Sequence, residues 1–553
     1  IQKLMKSKWK IIIFIILVIL LAVYLYLHFR KSDDFEPQIK QKIAKLVNKA
    51  TNGLYKIDIG KIQIDISNGG IEAQNIKVYP DSTRLQFLEN AKQLSNDIYS
   101  TTIKSISIKN LSVIDLIKGK NIDINEITID GSSIKITHKK RNFNYIDTLN
   151  IYEKISSEKQ FYNIKKLFFT NANLTIINQD KNNLTTTINN LSANLFDINI
   201  DSSSVNDSTR FLFAKRALII VKDYKSETPD KLYKITVDSV SLKPQSDSAI
   251  VFGIRLKPNG TKDEFSKKLT YLKDRFDLSI TKMYANKIDW FNLIAGENFQ
   301  GESMQINDGY IHVYNDRRVP SSPKSKVGKY PHQLLMKLEL PIYLPLLVVK
   351  NLKVSYEEFN PASEKSGTLE LTNVSAQVTN ITNIPSLIIN NSLMKVTTSS
   401  RLMNDGLIQA DFIFNLAKVK KSVFGLNIFL NKMDGKNLNK VTENVGMFRV
   451  NNLAIDYLKA NLEGANNTAS ANITFAYHDL NIDVLKKAED GIKKKGFLSF
   501  ITNAFVLKNT NPSSPNKPLR TYKIEYARIP QKSFFNLIWK TILEGMMMTV
   551  KGK

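Results

Sequence analysis

The chain has 553 residues and no cysteine, and its 78 Lys and Arg against 51 Asp and Glu leave a formal net charge of +27. The missing cysteines exclude disulfides, thiol nucleophiles and thiolate metal sites. The basic surplus favours an acidic counterpart, anionic lipid head groups before nucleic acid once the first segment is read, although a coding bias toward Lys, Ile and Asn accounts for it equally well.

Residues 1–8 carry Lys3, Lys6 and Lys8, and residues 9–29 read WKIIIFIILVILLAVYLYLHF. The 17 positions from Ile11 to Leu27 are uncharged and as a helix span about 26 Å, the thickness of a bilayer's hydrocarbon core. Trp9, Ile11, Phe14, Leu17, Leu20, Tyr24 and Leu27 are the anchor positions, with the aromatic rings suited to the interfaces. The run is longer than a signal-peptide core and ends in LYLHFRK without a small-x-small cleavage site, so the expectation is an uncleaved transmembrane helix. The lysines before it place the N-terminus in the cytoplasm and the residues after it outside.

Residues 36–51 place Ile39, Ile43, Leu46, Val47 and Ala50 on one helical face, closing the helical segment 30–54. From Tyr55 the period changes to two, in YKIDIGKIQIDIS and then IEAQNIKVYPDS, and a short helix is expected over 84–98. The stretches SISIKNLSVIDL (105–116), EITIDGSSIKIT (126–137), KLFFTNANLTII (166–177), MQINDGYIHVYN (304–315) and LVVKNLKVSYEE (347–358) share a design of two alternating arms around a turn-forming centre. Ile106, Ile108, Leu111 and Val113 have the same spacing as Leu347, Val349, Leu352 and Val354. Such centres make either hairpins or bulged kinks, and the residues leave both open. Helical insertions are expected at 146–160 and 262–276, and DRRVPSSPKSKVGKYPHQ (316–333) reads as a mobile loop or seam in a β-repeat domain covering 55–483. Residues 484–553 carry a lysine cluster, two strands and a last apolar helix with Phe534, Phe535, Ile538, Trp539 and Ile542. That helix suits an end cap, or a membrane interface through its basic fringe.

No GxSxG, Walker, GxGxxG or HExxH pattern occurs, and no two of His28, His138, His312, His332 and His478 have ligand spacing. The residues therefore point away from catalysis, metals and cofactors. Asn173, Asn183 and Asn472 begin glycosylation triplets, as chance allows in an Asn-rich chain.

Taken in order, the lysine-flanked anchor with KLVNKATNGLYKIDIGKIQIDIS, the block SGTLELTNVSAQVTNITN, the run FRVNNLAIDYLKANLEGANNTASANITFAYHDLNIDVLKK and the closing FLSFITNAFVLKNTNP and KSFFNLIWKTILEGM resemble the AsmA-like family of Gram-negative envelope proteins, related to TamB-type and bridge-like lipid-transfer proteins. The resemblance implies a mainly β fold, an elongated, twisted antiparallel β-groove held in the inner membrane with its bulk in the periplasm. It implies phospholipid as ligand, with an outer-membrane or periplasmic protein as a further partner and no nucleic acid. On that reading Ile106, Ile108, Leu111, Val113, Ile127, Ile129, Ile134, Ile136, Leu352, Val354, Leu369 and Leu371 line the groove. A non-enzymatic envelope scaffold or assembly factor is the alternative.

Overall fold

A computed structural model describes residues 35–65, 70–111, 122–143, 162–485 and 507–552, apart from positions 182, 202, 203, 205, 206, 208, 212, 296 and 297. The expected anchor at 9–29, the insertion at 146–160, Val113, and all but the first two residues of the 484–502 lysine segment lie outside the described residues. Among the described residues no helix is long and apolar enough to cross a membrane. Hydrogen bonding among the described residues assigns 21 strands to one mixed sheet. By contacts the chain divides into two compact units, the first within Ile1–Gly253 and Ile288–Gly296, the second within Ile254–Lys287 and Glu297–Lys553.

The first unit holds β1 (Tyr55–Asp65), β2 (Gly70–Pro80), β3 (Asp97–Leu111), β4 (Ile122–His138), β5 (Tyr162–Asn178), β6 (Leu184–Ile200), β7 (Ala214–Glu227), β8 (Tyr233–Lys243) and most of β9 (Ser248–Pro258). Helix α1 (Phe35–Ala50) buries Ile43 and Val47 and guards the open edge of β1. The Ile62 N–H donates to Glu36 Oε1 at 2.9 Å and Lys40 Nζ donates to the Gly60 carbonyl at 2.7 Å. Side chains thus satisfy edge groups that would otherwise template pairing with another chain. The expected helix at 84–98 is α2 (Ser82–Asn90), capped by the Asp81 carboxylate and ended before β3 begins.

Among the described residues the neighbours from β1 to β8 are antiparallel except for the parallel pair β4–β5. In the second unit β13 (Ile342–Asn360) runs parallel to both β12 (Ser303–Asp316) and the short β11 (Phe299–Gln300). The sheet is therefore mixed, where a purely antiparallel groove was expected. Parallel neighbours require a long crossover, and the chain supplies one between residues 138 and 162 and another between 316 and 342.

Four of the five repeat centres, those in β4, β5, β12 and β13, are kinks inside continuous strands rather than hairpins, and the second arm of the 105–116 repeat lies outside the described residues. β4 runs through Asp130-Gly131, β5 through Asn171 and β13 through Asn351, with φ of +65° at Gly131, +52° at Asn171 and +55° at Asn351. A left-handed residue shifts the side-chain alternation by one position, so buried positions step by three there: Ile129 to Ser132, and Phe169 to Ala172. That is the physical meaning of the shared spacing, because both arms keep one face. In the parallel pairs the kinks lie side by side and are tied together. Asn171 Nδ2 and Thr170 Oγ1 each donate to Asp130 Oδ1 at 2.7 Å, and Asn351 Nδ2 donates to Asp308 Oδ1 at 2.6 Å. The Thr170 and Asn171 bonds hold the Asp130 carboxyl below its ordinary pKa.

The second unit continues with β10 (Arg275–Asn286), β11 (Phe299–Gln300), β12, β13, β14 (Lys365–Thr382), β15 (Leu393–Leu402), β16 (Gly406–Asn415), β17 (Phe424–Leu430), β18 (Met433–Asp434), β19 (Phe448–Gly464), β20 (Thr468–Val484) and β21 (Thr521–Ala527). The helix expected over 262–276 stops at Lys267: Thr261 and Glu264 form a capping box, and the chain then enters β10, whose ladder with β12 overrides the local helical spacing. The last helix, α3 (Phe534–Lys551), lies on the apolar face over β20 and β21. Gly545 permits the close approach, since a Cβ there would fall 2.5 Å from Ile473 Cγ1.

The stretch 316–333, expected as a mobile loop or seam, is tied down over its second half. The Lys326 N–H donates to the Pro530 carbonyl, Arg528 Nη2 donates to the Lys326 carbonyl, and Tyr330 and His332 are fully buried. Tyr330 packs against Phe424 and Phe534, and the His332 ring lies 5.0 Å from Phe414. Among the described residues neither ring nitrogen of His332 has a hydrogen-bond partner, and burial pushes its pKa down to about 4. The unfolded chain then binds the extra proton first, so stability is full above the ordinary value of 6.5 and falls as pH drops toward 4. The loss should reach roughly 3 kcal/mol at pH 4. Urea denaturation between pH 7 and pH 4 should show a shallower pH dependence for His332→Phe than for the parent, and identical slopes would remove His332 from the account.

Candidate functional site

In the first unit the expected groove residues form rows across the strands. Ile71, Ile108, Ile127, Leu167 and Leu195 make one row, and Ala73, Ile106, Ile129, Phe169 and Ala193 the next. Ile106, Ile108, Ile127 and Ile129 are each at most 1% exposed. This part of the face is packed. Past the kink, Ile134 and Ile136 are half-buried, in register with Leu174 and Ile176. Leu111 ends β3, and its side chain, like all of Val113, is outside the described residues.

In the second unit the apolar face is filled on one side and half-open on the other. Phe534, Leu537, Ile538 and Ile542 of α3 pack with Phe424, Leu426, Leu462 and Ile473 from the later strands, and Leu369 packs against this core. Phe535 and Trp539 point outward, 66% and 50% exposed. The helix is therefore a cap with an aromatic pair left on its outer side. Toward β10 the face loses its cover. Leu278, Ile311, Val354 and Leu371 form a half-buried row through β10, β12, β13 and β14. The adjoining row contains Phe276, Val313, Tyr356 and Leu369, with Phe276 and Tyr356 each 40% exposed. Leu352 is buried between them and the kink.

The expected residues Val354 and Leu371 thus meet in one strip, with Leu369 at its core side, while Ile106 to Ile129 lie in the closed part of the other unit. Sequence reasoning missed Phe276 and Leu278, which lie at or just past the end of the stretch expected as a helix. It also missed Ile311 and Val313, although both belong to the quoted repeat MQINDGYIHVYN and had its alternation as a signal.

The opposite face of β12 and β13 carries a buried polar network. A carboxylate cannot donate, so His312 Nε2–H points to Glu357 Oε2 at 3.2 Å and Nδ1 accepts from the Ser355 hydroxyl at 2.7 Å. Lys262 Nζ donates to both Glu357 oxygens at 2.7 Å. Burial pushes the Glu357 carboxyl up, but the Lys262 and Ser366 hydrogen bonds outweigh it and leave the carboxyl below its usual range. Burial lowers the His312 pKa as well, so the ring is neutral and the cation opposite Glu357 is Lys262. A hydroxyl, an imidazole and a carboxylate stand in series, as in a nucleophilic relay. However, the carboxylate's charge is already matched by Lys262, and Ser355 is only 7% exposed within the sheet. The network fastens the segment carrying Lys262 onto the sheet. Among the described residues no cluster of His, Asp or Glu has the geometry of a metal site.

No protein-family model matches the chain, and comparison with curated proteins gives no significant match.

Proposed function

We propose that this chain is a non-catalytic lipid-sheltering protein of the bacterial envelope, held in the inner membrane by residues 9–29 with its N-terminus cytoplasmic and its bulk periplasmic, and that it takes part in phospholipid transport or outer-membrane lipid homeostasis. The observation that carries the reading is the half-open apolar strip of Phe276, Leu278, Ile311, Val354, Tyr356 and Leu371. An acyl chain laid on such a strip gains roughly 0.8 kcal/mol for each methylene removed from water. The uncharged run 11–27 and the segment order shared with the AsmA-like family support the same reading.

The test is extraction of the purified full chain followed by mass spectrometry for phospholipid. Val354→Asp and Leu371→Asp should keep the parent's unfolding temperature within a few degrees, since a half-exposed carboxylate reaches water. Both should lose most of the bound lipid. A parent chain that is repeatedly lipid-free would sink the proposal.

The packed rows of the first unit favour a second reading, an anchored β-scaffold or assembly factor for an outer-membrane or secretion partner. Photocrosslinkers at Val354 separate the two: lipid adducts support sheltering, and protein adducts alone support the scaffold.

A further inference from the structure

The polar face of the second unit is hollowed between β13 and β19 into an open cavity of about 720 Å³. Its chemistry is unlike the rest of this basic chain. In register across five strands stand Gln377, Thr397, Asp411, Asn427 and Asn461. Beside that row run Ser399, Gln409, Phe429 and Lys459. Gln377, Thr397, Gln409 and Asp411 are exposed, and none of them bonds another side chain among the described residues. Asn461 Nδ2 donates to Asn427 Oδ1 at 2.6 Å, which fixes one amide pair. At the same end Phe429, 37% exposed, stacks on Tyr457 with ring centroids 5.9 Å apart and planes 27° from parallel.

We infer that this hollow binds a linear oligosaccharide lying across the strands. Three observations select that ligand. The first is charge complementarity. The lining holds Asp411 against Lys350 and Lys459, a nearly balanced set in a chain of net charge +27, so a polyanion finds no special field here while a polyhydroxylated chain loses nothing. The second is donor and acceptor type. Carboxamides and hydroxyls both give and accept hydrogen bonds, as vicinal sugar hydroxyls require, and the exposed Phe429 ring offers a flat apolar surface for the C–H face of a pyranose. The third is repeat. Strands lie ~4.8 Å apart, close to the length one hexose adds to a linear glycan, so successive sugars meet equivalent side chains on successive strands.

The experiment uses the full chain in a detergent without a sugar head group, titrated with β-1,4-linked N-acetylglucosamine pentamer, cellopentaose and maltopentaose by calorimetry and saturation-transfer NMR. At least one should bind with millimolar or tighter affinity, with saturation strongest on the sugar stacked at Phe429. Phe429→Ala should weaken it by about tenfold or more. Gln377→Ala and Asp411→Asn should each weaken it by about threefold to tenfold. Gln377 and Asp411 are exposed, so their variants should match the parent's unfolding temperature, and Phe429→Ala, which gives up the Tyr457 stack, should lower it by a few degrees while staying folded. Phe429→Tyr, which keeps the ring, should retain binding. Absence of binding by all three sugars up to about 10 mM would overturn the inference, and so would binding that Phe429→Ala and Gln377→Ala leave unchanged. Neither outcome depends on whether lipid is found on the opposite face.

Discussion

Ile129→Asp is expected to unfold the first unit at neutral pH, or to leave it so weak that the chain is degraded in cells. Ile129 is 1% exposed, and its neighbours across the ladder are Ile106 and Phe169. The row continues through Ala73 and Ala193, so no side chain of that row can receive the carboxylate. An uncompensated buried charge costs on the order of 3–5 kcal/mol. Against a typical domain stability of roughly 5–15 kcal/mol, that is about a fifth of it at the least and all of it at the most. The size of the effect separates this position from Val354, where the same substitution should leave the fold intact and remove lipid. Acid should rescue the Ile129 variant in part. Burial raises the carboxyl's pKa above its unfolded value, so the deficit is largest at pH 7 and shrinks as pH falls through the folded value. Ile129→Val removes one methylene and should cost about 1 kcal/mol with no pH dependence. Thermal and urea unfolding of the three variants at pH 7 and pH 5 give the comparison. An Ile129→Asp chain as stable as Val354→Asp would mean that the face is open at Ile129 as well, and that the packed rows are misassigned.

The contrast shows what the amino-acid pattern could and could not carry. Period-two alternation from Tyr55 onward, the helices at 35–50 and 534–551 and the repeated arms were legible, because each is written in neighbouring residues. The spacing of Ile106, Ile108, Leu111 and Val113 was legible too, but its cause was not. Asp-Gly and Lys-Asn serve hairpins and kinks alike, and the difference lies in whether a partner strand continues beside them. The stretch 262–276 misled for a related reason. Its Phe265, Leu269 and Leu272 have helical spacing, yet from Arg275 the backbone bonds belong to β12, some thirty residues on. Composition also hid the strap at 316–333, where prolines, serines and lysines conceal two fully buried rings, Tyr330 and His332. The closed and half-open parts of the apolar face look identical in sequence. Ile129 and Val354 sit in equivalent alternation, and only what packs over them differs. The polar hollow was invisible for the same reason, since Gln377, Asp411 and Asn461 come together only through register.

Gly309→Ala tests the kink itself and should be among the most damaging small substitutions in the second unit. Gly309 follows Asp308, which has φ of +55°, and itself has φ of +148°, a region that L side chains rarely enter. The added Cβ would lie 2.1 Å from the Ser279 carbonyl oxygen and 3.0 Å from Ile280 Cα. Both are backbone atoms of β10, and Gly309 pairs directly with Ile280, so relief requires opening the β10–β12 ladder. Backbone strain of ~1–3 kcal/mol and the overpacking cost of ~1–3 kcal/mol act together, giving a loss of about 3 kcal/mol or more. Gly131→Ala is the informative comparison. Its φ of +65° is also left-handed, but the nearest atom to the added Cβ would be Lys104 Cβ at 2.8 Å, a smaller overlap than the 2.1 Å approach to the Ser279 carbonyl oxygen. That variant should lose only about 1–2 kcal/mol. Asp308→Asn should be nearly neutral, because Asn tolerates the left-handed region and keeps an oxygen for the Asn351 amide. Hydrogen exchange should place the Gly309→Ala opening in β10, β12 and β13 while β1 to β7 keep their protection. Since Leu278, Ile311 and Val354 sit on those opened strands, bound phospholipid should fall with the protection, and a Gly309→Ala chain with parental stability would rule out the tight β10–β12 contact on which the strip is built.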